Sequence, residues 1–295
     1  MILTFEEPSA AQAHCRMLRE RGESLGFVPT MGALHEGHLA LVARALSEND
    51  HACVSVFVNP LQFGERSDYE LYPRDFASDV RLLERAGCDM AFTGTLATFF
   101  PGGVRADGSF DPVFLREPGP CALGLEGDHR PGHFAGVATI VERLFELTEP
   151  TRAYFGAKDF QQTLVVKDLA RLRGGPKIRV CPTVREASGL ARSSRNERLS
   201  ATDREIATVL VRALFRAREE WRRGRRDVAS LRASMAEVLA LARVSVEYAT
   251  VRDPDRWTRD DPEHQLERAV ALIAARVGGV RLIDNMRLDG EDEAE

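Results

Sequence analysis

At 295 residues, 44% hydrophobic and 29% charged, the chain has the composition of a soluble globular protein long enough for two domains with separate cores. A net charge of -5 argues against nucleic acid or an anionic membrane as a partner, since both call for a basic field. No leader-like segment opens the chain and no apolar run approaches the roughly 20 residues of a membrane helix, so a cytoplasmic protein is expected. Five cysteines (Cys15, Cys53, Cys88, Cys121 and Cys181) are odd in number, far apart and without a CxxC, and read as small buried side chains.

In chain order, the first half alternates strands and helices. Ser24–Pro29, Ala52–Val58, Met90–Thr93, Ala153–Phe155 and Ile178–Pro182 read as strands, and Leu39–Ser47, Ala77–Ala86, Val137–Glu146 and Phe160–Leu172 carry apolar residues at helical spacing. This is the pattern of βαβ units around a parallel sheet, whose ligands bind beyond the carboxyl ends of the strands. Pro101–Leu115 reads as a loop or small hairpin. After residue 184 a loop rich in Arg and Ser leads to helices at Thr202–Arg223 and Val228–Ala242. Strands at Val244–Val251, Ala269–Arg276 and Val280–Asn285 follow, the last two joined by a Gly278-Gly279 turn. Arg216, Arg218, Arg222, Arg223, Arg225 and Arg226 suit the negative end of a helix, and the acidic tail Asp289–Glu295 is expected to fray.

Four segments could carry chemistry. Val28–His38 places His35 and His38 three residues apart where a strand gives way to a helix. The first helical amides and the dipole there favour an anion, although such a pair can also be structural. The spacing does not fit a zinc metalloprotease, which needs four residues with a Glu between. Asn59 and Gln62 follow the second predicted strand, where amides can orient a small polar substrate. Gly156-Ala157-Lys158-Asp159 puts a cation at a helix start, which makes sense if a phosphate lies there. Arg192-Ser193-Ser194-Arg195 offers guanidinium and hydroxyl groups suited to phosphate oxygens, or an ordinary polar hinge. Leu125–Phe134 adds polar groups whose roles chemistry alone does not assign.

Taken together, VPTMGALHEGH, FVNPLQF, YPR at Tyr72–Arg74, LEGxxRPGHFxGV, KDFQQ, SSRN and RLIDN run along nearly the whole chain and closely resemble the pantoate–β-alanine ligases, HxGH-bearing members of the nucleotidyltransferase superfamily. The resemblance implies an α/β fold: a Rossmann-type parallel-sheet domain over residues 1–183 that binds nucleotide and pantoate, and a smaller α+β lid domain over 184–295, in a homodimer. It further implies joining of (R)-pantoate to β-alanine with Mg2+ and ATP, through a pantoyl adenylate.

By the same resemblance Met31, Gly32, Ala33, Leu34, His35, Glu36, Gly37 and His38 would line the ATP site, with His35, His38 and Lys158 catalytic. Gly156, Ala157, Lys158, Asp159, Val184, Arg192, Ser193, Ser194 and Arg195 would complete it. Gln62 and Gln162 would hold pantoate, Gln62 and Asn59 would lie near β-alanine, and no protein ligand of the metal is named. Two positions depart from the family pattern: Ala157 stands for Glu in a GEKD run, and Arg192 for the Leu or Met before SSRN. Neither deletes a reacting group, so altered ATP affinity is expected rather than lost activity. Other HxGH nucleotidyltransferases would not need FVNPLQF with KDFQQ. A non-catalytic nucleotide-binding module would not need His35, His38, Lys158 and Ser193–Arg195 intact.

Overall fold

The computed structural model describes residues 1–64 and 66–290. Its strands and α-helices run β1 (Leu3–Phe5), α1 (Pro8–Glu20), β2 (Leu25–Thr30), α2 (Glu36–Glu48), β3 (His51–Val56), α3 (Arg66–Glu70), α4 (Phe76–Arg85), β4 (Met90–Phe92), α5 (Leu96–Phe99), α6 (Glu126–His129), α7 (His133–Thr148), β5 (Arg152–Gly156), α8 (Phe160–Arg173), β6 (Lys177–Cys181), α9 (Ala201–Arg222), α10 (Val228–Leu239), β7 (Ser245–Arg252), β8 (Val270–Val277) and β9 (Val280–Arg287). They fall into two compact units. The first comprises Met1–Ala122, Arg130–Phe155 and Gln161–Cys181; the second comprises Leu123–His129, Gly156–Phe160 and the chain from Pro182 onward.

The first unit is built on a six-stranded sheet in the order β1-β4-β3-β2-β5-β6, with parallel pairing from β1 through β5. Alternate residues of each strand face opposite sides. Phe27 and Cys53 therefore join Ala11, Cys15, Leu18, Val137 and Ile140 in one core, while Val28, Val54 and Ala52 meet Leu41, Val42, Ala45 and Leu83 in another. Helices thus cover both faces. The order reverses at β2, whose neighbours β3 and β5 belong to the two halves, and such a switch point is where these sheets bind ligands.

Sequence reasoning missed β1 and α1. β1 is a three-residue edge strand, and the inner stripe of α1 is built from Ala11, Cys15 and Leu18, too modest an apolar signal to stand out. The strand expected to reach Val58 stops at Val56, because Asn59 opens a one-turn 3-10 helix over Pro60–Gln62. Residues 101–115 do contain a small antiparallel bridge, Val104 to Phe110.

In the second unit β7, β8 and β9 form an antiparallel sheet. β8 is apolar except for the half-buried Arg276, because both its faces are otherwise buried. Ala271, Ile273 and Ala275 pack on α9 and α10 through Leu210, Leu214, Leu231 and Met235, while Val270 and Leu272 meet Leu125, Phe160, Tyr248 and Trp257. The β8–β9 turn uses Gly278 and Gly279 at φ +55° and +80°, the left-handed values a tight hairpin needs. The arginine-rich end of α9 is tied to its own helix: Glu220 takes Arg216, Arg223 and Arg225, and Arg226 lies 4.0 Å over the Trp221 ring. Asp289, expected to fray, is instead paired with Arg268 and Arg287. The rest of that tail, 291–295, lies outside the described residues. Among the described residues no helix is long and apolar enough to cross a membrane.

Candidate active site

In the first unit, the loop after β2 is held by groups far away in sequence. Thr30 Oγ1 donates to the Ser55 carbonyl at 2.8 Å and accepts from Gly32 N–H at 3.2 Å. Gly32 has φ +80°, and a Cβ there would lie 2.9 Å from Asp79 Oδ2, so both backbone and space exclude a side chain. Asp79, buried on α4, accepts the N–H groups of Ala33 at 3.1 Å and Leu34 at 2.9 Å. Burial pushes its carboxyl above the ordinary carboxylate value, with the two backbone bonds acting against that rise. Sequence reasoning did not find Asp79, since a carboxylate more than forty residues away leaves no local signal.

Sequence reasoning also expected backbone amides at the start of α2 to receive an anion. In the structure several are already satisfied. His35 is the N-cap, in extended conformation, and His38 is the third helical residue. His35 Nδ1 accepts Gly37 N–H at 3.1 Å, His38 Nδ1 accepts His35 N–H at 3.3 Å, and His38 N–H donates to the His35 carbonyl. This is a capping box made of two imidazoles, with ring centroids 4.2 Å apart. An Nδ1 that accepts carries no proton, so both neutral rings hold theirs on Nε2. The hydrogen each ring can donate is therefore on Nε2. Glu36 is exposed in the same turn.

Gln62 is placed from the adjacent strand end. Asn59, 1% exposed, commits its whole amide internally: Oδ1 accepts Leu61 N–H, and Nδ2 donates to Gln62 Oε1 and to the Gly136 carbonyl, both at 3.1 Å. Gln62 Nε2 lies 2.9 Å from Met31 Sδ, which brings two of the expected site residues together. The Gln62 carbonyl takes His133 Nδ1–H at 2.8 Å and Arg130 at 3.3 Å, while Arg130 donates to His133 Nε2. The polar groups of RPGH thus brace the Gln62 turn. Arg74 of YPR folds back onto the Tyr69 and Tyr72 carbonyls and lies 4.4 Å over the Tyr69 ring. Gln162 is half-buried in the first turn of α8.

In the second unit, Lys158 sits in a 3-10 turn, Ala157–Asp159, that leads into α8, with Nζ 3.5 Å from Asp159. Asn285 holds this turn by donating Nδ2 to the carbonyls of Ala157 at 2.9 Å and Lys158 at 2.7 Å. The other polar loop begins at Val184, whose carbonyl accepts Arg192 N–H. Ser193 caps the turn carrying Ser194 and Arg195, and Asn196 anchors it to Glu186 and the Ala191 carbonyl. Arg192 lies 3.8 Å from Glu186, which also pairs with Arg204 at 2.8 Å, so part of its added charge is compensated locally. Among the described residues no group of three or more His, Cys, Asp or Glu side chains could hold a metal ion.

A family model for pantoate-beta-alanine ligase matches residues 3–287. The chain belongs to the pantoate–β-alanine ligase family. The pantothenate synthetase of Rubrobacter xylanophilus is 48% identical over 96% of this chain and 98% of its own, and that of Gluconobacter oxydans 49% over 90% and 94%. Among solved structures, pantothenate synthetase from Thermus thermophilus aligns with a TM-score of 0.87 at 41% identity, over 98% of this chain and 100% of that one. A pantoate-beta-alanine ligase from Francisella tularensis, complexed with beta-gamma ATP and beta-alanine, aligns with a TM-score of 0.79 at 32% identity, over 99% and 100%. The family pattern has a physical counterpart at several points: RPGH braces Gln62, RLIDN braces the lysine turn, and HxGH caps its own helix.

Proposed function

We propose that this ligase condenses (R)-pantoate with β-alanine in two steps driven by ATP. In the first, a pantoate carboxylate oxygen attacks the α-phosphorus, forming pantoyl adenylate and releasing pyrophosphate. In the second, the β-alanine amine attacks the acyl carbon, the amide forms, and AMP leaves with the electrons of the acyl–oxygen bond. Negative charge gathered on the phosphates is the obstacle to the first step, and preorganised donors lower it.

The observation that carries this reading is the imidazole capping box, which sets two rings 4.2 Å apart at the positive end of α2, each with Nδ1 committed to backbone. In the proposal both donate to phosphate oxygens, and His38 is the proton donor. Lys158 neutralises charge at the α-phosphate, and Ser193, Ser194 and Arg195 hold the distal phosphates. Met31–His38, Gly156–Asp159, Val184 and Arg192 complete the nucleotide contacts. Gln62 and Gln162 hold pantoate. Gln62 also meets the amine, with Asn59 acting through Gln62 because its own amide is committed.

The described residues offer no carboxylate cage, so Mg2+ would fit as a companion of ATP, held by phosphate oxygens and water, where it would offset phosphate charge. The family pattern further supports residues 1–183 as the nucleotide and pantoate domain, 184–295 as a lid, a homodimer and a cytosolic location. Light scattering on the purified chain reads the dimer.

The test is exchange of labelled pyrophosphate into ATP, with and without pantoate, followed by AMP release on adding β-alanine. Exchange that needs pantoate, and AMP release that needs β-alanine, is the expected result. ATP binding with no pantoate-dependent exchange would overturn the proposal.

A further inference from the structure

Asn285 is a polar residue near the middle of β9, 4% exposed, where burial is costly unless every group is bonded. Its amide nitrogen meets two carbonyls of one turn, those of Ala157 and Lys158, and only the NH2 end of an amide can do this. Its neighbour Asp284, also 4% exposed, accepts both arms of Arg185, at 2.7 Å and 3.0 Å, and takes Asn285 N–H at 2.8 Å. Arg185 in turn donates to the Asn285 carbonyl at 3.2 Å and the Gly189 carbonyl at 3.1 Å. Gly189 lies in the turn between the bridged residues Arg185 and Ala191, shortly before Arg192.

We infer that Asn285 is a positioning residue for Lys158, and that the Arg185–Asp284 pair ties its strand to the Arg192–Arg195 loop, so that both cation-bearing loops are braced from two adjacent residues of β9. This rests on the reading that Lys158 and Arg192–Arg195 act on ATP. A 3-10 turn of three residues has little hydrogen bonding of its own, and here a side chain from more than a hundred residues away supplies two bonds. The Asn285 Nδ2 bonds go to backbone carbonyls, so they set where the Lys158 turn stands and leave the Lys158 ammonium free of them. The arrangement also explains an Asp-Asn pair in a strand otherwise apolar on its buried positions: one residue holds the guanidinium, the other the turn.

The experiment compares Asn285→Ala, Asn285→Asp, Lys158→Ala and the double variant Asn285→Ala/Lys158→Ala in the full chain, by pantoate-dependent pyrophosphate exchange, ATP and pantoate titrations, and thermal melting. Leu282→Ala, which opens the core on the same strand and removes none of the hydrogen bonds to either loop, serves as the structural control. Both Asn285 variants should lower exchange about tenfold or more with pantoate affinity unchanged, while Leu282→Ala lowers the melting temperature but leaves exchange per folded molecule intact. Because Asn285 acts through Lys158, adding Asn285→Ala to Lys158→Ala should cost nothing further. A full additional loss in the double variant, or normal exchange in folded Asn285→Ala and Asn285→Asp, would overturn the inference. Normal exchange in Lys158→Ala would instead overturn the assignment of Lys158 beneath it.

Discussion

Gly136→Ala is the sharpest test of how Gln62 is placed, since it alters no group expected to touch substrate. Gly136 lies in the first turn of α7, and its carbonyl accepts the Asn59 amide. A Cβ added there would stand 2.2 Å from the Leu61 carbonyl oxygen, 2.4 Å from its carbon and 2.7 Å from Gln62 N. The atoms met are backbone, so no rotamer relieves the clash, and ordinary contact requires the Asn59–Gln62 turn to retreat by about 1 Å. Overpacking of this kind costs about 1–3 kcal/mol of stability. The functional effect should be larger, because a displacement of about 1 Å at a substrate-positioning group can cost about 100-fold in rate. Steady-state kinetics with pantoate varied at saturating ATP should show kcat/KM lowered by roughly that factor, with the ATP KM changed far less. A folded variant within about threefold of the parent, against the ~100-fold expected, would refute the claim that α7 sets the position of Gln62.

His38→Asn keeps an acceptor close to Nδ1 for the His35 N–H and removes the Nε2 donor, so the melting temperature should hold while kcat falls about 10²- to 10³-fold; His38→Ala should lose kcat and about 1 kcal/mol of stability together. Unchanged turnover in His38→Asn would remove that ring from the chemistry. Buried Tyr154 donates its hydroxyl to Glu48 and accepts from Asn49, and burial pushes its phenol up to about 12. A phenol raised above its unfolded value of 10.0 favours folding while neutral, so its contribution is complete below pH 10 and fades as pH rises toward 12. The melting-temperature advantage over Tyr154→Phe should shrink across that window, and a constant difference would contradict the sign. Arg192→Met and Ala157→Glu should each shift the ATP KM a few-fold, about 0.5–1 kcal/mol for a half-exposed charge, with turnover near the parent's. An ATP KM and kcat unchanged by both would mean that neither departure touches the nucleotide.

What was legible in the sequence was local. Leu41, Val42 and Ala45 announce α2 by spacing, Gly278-Gly279 announces a hairpin, and the apolar run Ala269–Arg276 announces a strand. The anchors were not legible, because each is a single polar residue whose partner lies far along the chain. Asp79 reads as an unremarkable acid on an amphipathic helix until its two oxygens are seen on Ala33 and Leu34. His133 reads as one of several polar groups in a loop, with Gly136 just ahead of the expected helix, and only the approach of Leu61 and Gln62 explains both. Nor does periodicity reveal that Leu123–His129 and Gly156–Phe160 pack with the C-terminal sheet. That follows from the buried pair of Glu126 with Arg281, from Trp257 on the Leu123 carbonyl, and from Asn285 on the lysine turn.

The capping box shows why histidine, rather than the usual Ser, Thr or Asp, suits the start of α2. A carboxylate cap satisfies a helical amide and has no hydrogen to give an anion, while a hydroxyl cap keeps one O–H on a bond that turns freely. An imidazole has two nitrogens on opposite sides of a rigid ring. When Nδ1 accepts a backbone N–H, the proton must reside on Nε2, so a ring that caps the helix keeps a donor on its other nitrogen. Here that happens twice, with each histidine serving the backbone of the same short turn. Asp79 meanwhile occupies the amides of Ala33 and Leu34, which fixes the loop but leaves fewer backbone N–H groups for a phosphate. In the proposed reading two side-chain donors thus take the place of a backbone anion cradle. Unlike amides, these can also release a proton, which a phosphate-binding turn alone could not do.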